Sequence, residues 1–91
     1  MVVVTILPDK RVIARAALTS RVVAAAGHAA LAPVAITDLK TVEYILKFNF
    51  ITSPDTYVID HDASITGNVV GVTVYAGAGT TISGEVICVG F

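Results

Sequence analysis

Residues 64–91 read SITGNVVGVTVYAGAGTTISGEVICVGF, with Glu85 as the sole charged side chain. The stretch breaks at Thr66-Gly67-Asn68 and again at Ala76-Gly77-Ala78-Gly79-Thr80. It therefore reads as two strands, Val69–Tyr75 and 84–89, separated by turn chemistry. In both, each face carries apolar or small residues, the pattern of strands covered on two sides. A sandwich of 91 residues covers few strands twice. The second cover is expected from another chain.

The composition points the same way. The chain is a single domain, 1–91, in which hydrophobic residues make up 55% and charged residues 14%. Average domains hold about 25% charged residues. A mean hydropathy of +0.81 leaves more apolar side chains than one small core hides. A membrane span is excluded by run length, because about 20 consecutive apolar residues are needed. Thr, Gly, Asn and charges interrupt every longer apolar run here. The start, MVVVTILPDKR, lacks the basic residues that precede the apolar run of a signal peptide. Burial in an assembly is the expected outcome. The net charge of −1 gives no global field for nucleic acid. Residues 1–47 carry +3 and residues 48–91 carry −4. The split suits a basic edge of one subunit against an acidic edge of another. Cys88 has no partner for an internal disulfide and reads as a small core residue.

The remaining chain reads as further strands. Val2–Ile6 is β-branched and ends at Pro8-Asp9. In 11–19, Arg11, Ile13, Arg15, Ala17 and Thr19 alternate with Val12, Ala14, Ala16 and Leu18, as in a half-buried strand. In 42–50, Val42, Tyr44, Leu46, Phe48 and Phe50 share a face that reads as core. Ser53-Pro54-Asp55 is a turn, and 56–61 follows as an antiparallel partner. Residues 20–33, SRVVAAAGHAALAP, form an irregular or partly helical Ala-rich excursion, a candidate contact arm. About six short strands with regular turns define an all-β, antiparallel β-sandwich or barrel of jelly-roll type.

No motif carries chemistry. Asp60-His61-Asp62 opens like a calcium loop, but Ile65 and Gly71 stand where that loop needs Gly and Glu. On a strand the two acids share a face and His61 points away. His28 has no nucleophile motif to serve. Gly77-Ala78-Gly79 lacks the Lys-Ser/Thr and helix of a phosphate loop. Arg11 and Arg15 form a small basic ladder without aromatics beside it. No catalytic residue, metal or cofactor is expected, and neither a nucleic-acid nor a membrane partner.

Lys10-Arg11-Val12-Ile13, Gly27 with Leu31, Leu39-Lys40-Thr41-Val42-Glu43-Tyr44, Tyr57-Val58-Ile59-Asp60 and Val86-Ile87-Cys88-Val89-Gly90 occur in an order that resembles small tailed-phage capsid decoration (cement) proteins. The resemblance implies a non-enzymatic role on the capsid surface of a virion. It implies the major capsid protein or another virion protein as partner. A homo-oligomer is expected, with a trimer as the guess. Arg11, Arg15, Val22, Val23, Ala25, Val70, Val72 and Val74 are the interface candidates. The alternatives are a tail- or fibre-associated virion component and a small carbohydrate-binding sandwich, which would use Tyr57, Tyr75 or Phe91.

Overall fold

The computed structural model describes residues 2–25, 27–53 and 58–91, with side chains from residue 6 onward. Pro54, Asp55 and Tyr57 lie outside the described residues, so the Pro54 turn and the Tyr57 sugar contact do too. Eight strands occur in chain order: β1 Val2–Ile6, β2 Val12–Val22, β3 His28–Ala30, β4 Val34–Ala35, β5 Val42–Ser53, β6 Asp60–Thr66, β7 Val69–Tyr75 and β8 Thr81–Gly90. They form a small antiparallel β-sandwich. One sheet has the order β1-β2-β8-β5. In the other, β6 runs the length of β7 on one edge. β3 and β4 lie end to end along its other edge.

Alternation builds the core. Ala14, Ala16 and Leu18 of β2 and Ile82, Val86 and Cys88 of β8 face inward, all buried. Val70, Val72 and Val74 of β7 close on them from the second sheet. Val23, Leu31, Ile36 and Leu39 of the connections fill the ends of the same cluster. Fully burying one such aliphatic side chain stabilises by about 1.5–3 kcal/mol. The cover that residues 64–91 require is thus largely intramolecular. Even Val89, on the outward side of β8 between Ile13 and Tyr44, is only 1% exposed.

The β6–β7 hairpin turns through Gly67 and Asn68 alone. Gly67 has φ +61°, the first central residue of a type II′ turn, whose twist suits flanking strands. The β1–β2 turn uses Pro8 and Asp9, then Lys10 at φ +68°. Leu7 N donates to Arg11 O and Lys10 N donates to Leu7 O.

Four expectations are corrected. The sheets hold eight strands, since two short ones lie in or beside the Ala-rich region. Residues 20–33 contain no helix among the described residues. β2 continues to Val22, Val23 N donates to Thr80 O at 2.8 Å, and β3 pairs with β7. Backbone pairing of β7 and β8 thus outweighs the helix propensity of Ala. The third correction concerns β5. Its pairing with β8 shifts between Val42 and Tyr44 and again between Ile45 and Lys47. Each shift sets two β5 residues against one of β8. The inward row is therefore Val42, Ile45, Phe48 and Phe50, opposite Gly90, Cys88, Val86 and Gly84. Tyr44 and Leu46, expected in the core, are 47% and 49% exposed. The fourth concerns the strand expected over 56–61: Val58 and Ile59 lie outside any strand, only Asp60 and His61 fall in β6, which runs on to Thr66, and its partner is β7 rather than β5.

Candidate interaction surfaces

The outer face of the β1-β2-β8-β5 sheet is built in cross-strand rows. Ile13, Val89 and Tyr44 make one row, Arg15, Ile87 and Lys47 the next, and Ala17, Glu85 and Asn49 the third. Arg15 Nε lies 2.8 Å from Glu85 Oε2, and Asn49 Nδ2 donates to Glu85 Oε1 at 3.2 Å. Apolar side chains surround this polar centre. Toward one end of the face Val22, opposite Thr81, is 57% exposed and Ile51, opposite Ser83, 65%; toward the other end Tyr44, opposite Val89, is 47% exposed and Leu46 49%. An open groove of about 390 Å³ lies between Leu18, Asn49, Ile51, Ser83, Gly84 and Glu85.

Arg11 sits where β2 begins and reaches Glu43 past the end of β8. Its Nε meets Glu43 Oε1 at 2.5 Å and its Nη2 meets Oε2 at 3.0 Å, a fork on a carboxylate. Asp9 contacts the same guanidinium and also accepts from Arg11 N. The Arg11 hydrogen bonds hold both Asp9 and Glu43 below the usual carboxylate range. They raise Arg11 further still, with Glu43 the larger cause. Arg11 and Arg15 are therefore not a bare basic ladder. Each is matched by the chain's own acids, and the Arg15–Glu85 pair partly resolves the charge split within the chain.

The outer face of the second sheet is polar. Asp60, Tyr75 and His28 form one row and Asp62, Thr73 and Ala30 the next. Tyr75 donates its hydroxyl to Asp62 Oδ2 at 3.1 Å, and that bond with the carboxylate charge raises the phenol pKa. The His28 and Tyr75 rings stand 6.1 Å apart at 50°. A groove of about 290 Å³ beside them includes Ser64, Gly71 and Thr73. Phe91, the other described sugar candidate, lies beyond the end of β8 in the first sheet.

Where the two sheets part, β5 and β6 leave a seam. Phe48 and Phe50 stack at 5.2 Å, and the His61 ring stands edge-on to both, at 5.2 and 5.4 Å. Every residue of β6 is exposed.

Of the eight interface candidates, Val23, Val70, Val72 and Val74 are at most 6% exposed, so their side chains serve the chain's own core. The inward phase of β7 and the Val23–Thr80 bond put them there. The arm idea thus loses Val23, while Ala25 and Val22 remain exposed. Sequence reading missed Tyr44, Leu46 and Ile51 as surface residues. Glu85, the lone charge in 64–91, was the available signal for a contact with Arg15.

Among the described residues no group of three His, Cys, Asp or Glu side chains could hold a metal ion. No helix among them is long and apolar enough to cross a membrane. Comparison with protein-family models, curated protein sequences and solved structures finds no match.

Proposed function

We propose that this chain is a non-enzymatic structural protein that acts by assembly, in the manner of a capsid decoration protein. One observation carries the reading: Val22, Tyr44, Leu46 and Ile51 are 47–65% exposed on or beside one sheet face with the Arg15–Glu85 pair at its centre. A sheet face with apolar residues around an ion pair suits docking, since apolar area supplies affinity and charges fix orientation. The sequence resemblance supplies the particular setting, the outer surface of a virion. The partner in this reading is a major capsid protein or another virion protein, and copies of the chain associate with one another. A tail- or fibre-associated position uses the same face.

The test is co-sedimentation with assembled capsids of the virion to which this reading assigns the chain. Wild-type protein is expected to pellet with the particles, and Ile51→Lys to remain in the supernatant while keeping its β-sheet circular dichroism. Failure of the wild type to pellet, or undiminished binding by Ile51→Lys, overturns the reading.

A further inference from the structure

We propose that two copies of the chain pair antiparallel through β6, with a two-fold axis at Ala63 that joins their second sheets into one. This deepens the assembly reading, on which it rests, by naming the partner as a second copy and the contact as a strand edge.

The edge is open and regular. Among the described residues no strand pairs with β6 on the side away from β7. Its ladder with β7 runs from Asp60–Tyr75 to Thr66–Val69 without a bulge, and it contains no Pro or Lys. Bulges, Pro and Lys are among the devices that spoil an edge for pairing; the charges this edge does carry, Asp60 and Asp62, lie on the outer face. The turn through Gly67-Asn68 makes Thr66–Val69 a hydrogen-bonded pair, so alternate residues 64, 62 and 60 also bond β7. The backbone groups of His61, Ala63 and Ile65 then point outward. His61 N fits this direction, because it donates to its neighbour's Asp60 Oδ1 at 2.8 Å rather than to β7.

Charge selects the register. An axis at Ala63 sets Asp62 opposite Ser64 and Asp60 opposite Thr66, acids facing hydroxyls. An axis at His61 would set Asp60 opposite Asp62 on one face, and like charges directly opposite are unfavourable. An axis at Ile65 would leave most of β6 unpaired. Only the Ala63 axis uses all three outward residues, with His61 opposite Ile65 and Ala63 opposite itself.

The seam supplies apolar contact under the new backbone bonds. His61, Ala63 and Ile65 lie on the core side, opposite Val74, Val72 and Val70. Ile65 is 38% exposed, and the Phe48–Phe50 stack beneath His61 is half-buried. The two-fold axis brings both seams together and covers them. The result is a closed dimer, or an even-numbered assembly if a second interface is added, rather than a trimer.

The test is sedimentation equilibrium over a dilution series with edge variants. Wild type is expected to show the dimer mass, or an even multiple. Ala63→Pro removes an outward N–H that bonds nothing in β7, and is expected to weaken association at least tenfold with the fold retained. Ala63→Thr keeps the N–H and is expected to associate like wild type. Should Ala63→Pro fail to fold, Ala63→Cys serves instead. Directly opposite residues fall within disulfide reach, so mild oxidation is expected to give a covalent dimer, while Thr19→Cys does not. A wild-type monomer at every concentration overturns β6 pairing and leaves the capsid reading to its own binding test. An oligomer indifferent to Ala63→Pro and not cross-linked through residue 63 overturns β6 pairing and keeps assembly.

Discussion

Among the glycines, Gly84 meets the closest backbone, and the cost of replacing it can be worked from geometry. It lies in β8 between Leu18 of β2 and Phe50 of β5, at φ +125°. A methyl group there would stand 1.9 Å from Asn49 O, 3.0 Å from its carbonyl carbon and 3.1 Å from Phe50 Cα. Carbon–oxygen contacts settle near 3.3 Å or more, so β5 would have to retreat by about 1.4 Å. The clashing atoms are backbone, and no rotamer relieves them. Overpacking costs about 1–3 kcal/mol and the disfavoured φ about 1–3 kcal/mol, roughly 4 kcal/mol together for Gly84→Ala. Gly90 provides the comparison. Its added methyl would stand 2.0 Å from Thr41 O, but no positive φ is involved. Gly90→Ala therefore carries the steric part alone, about 1–3 kcal/mol. Thermal unfolding followed by circular dichroism reads both. At about 4–8 °C per kcal/mol for this size, Gly84→Ala lowers the melting temperature by roughly 15–30 °C, and Gly90→Ala by less. A Gly84→Ala melt within about 3 °C of wild type would refute the close-approach argument. So would a Gly90→Ala cost larger than that of Gly84→Ala.

Two further outcomes follow from the charged corner and the thiol. Asp9 and Glu43 have folded pKa values below their ordinary 3.8 and 4.5, so their contribution is complete above those values and fades as pH falls through the lower folded ones. Arg11→Ala is expected to flatten the loss of melting temperature in acid, with the difference shrinking in high salt. An unchanged acid profile would show that the Arg11 fork adds no stability. Cys88 is fully buried, and burial pushes its thiol up. Native protein is expected to resist thiol reagents until it unfolds, and prompt stoichiometric labelling would contradict the placement of β8 at the centre of its sheet.

The all-β class and much of the strand placement were legible in the residues alone. Val2–Ile6 and Val69–Tyr75 are set by β-branched runs between turn residues, and both strands occur as read. The alternation in 11–19 correctly placed Ala14, Ala16 and Leu18 inside, and the apolar surroundings of Cys88 foretold its burial. Thr66-Gly67-Asn68 announced the hairpin, because a tight turn with positive φ needs a residue without a side chain. These signals are local. Each depends on residues within a few positions of one another.

The surfaces were decided elsewhere. The alternation of β5 reads Val42, Tyr44 and Leu46 as one buried row, yet two bulges against β8 turn Tyr44 and Leu46 outward. A bulge is a property of two strands in register, and one strand's sequence does not display it. β3 escaped notice because Ala and His carry little strand preference, and it forms because β7 offers an edge. Arg15 meets Glu85 only because β2 and β8, far apart in sequence, are neighbours. Val70, Val72 and Val74 looked like surplus apolar surface for a partner, and the first sheet buries them. Sequence thus determined most of the segments that are strands, through turn chemistry and side-chain shape. Tertiary structure decided which faces and edges remain open, because that depends on which strand each backbone finds as its hydrogen-bonding neighbour.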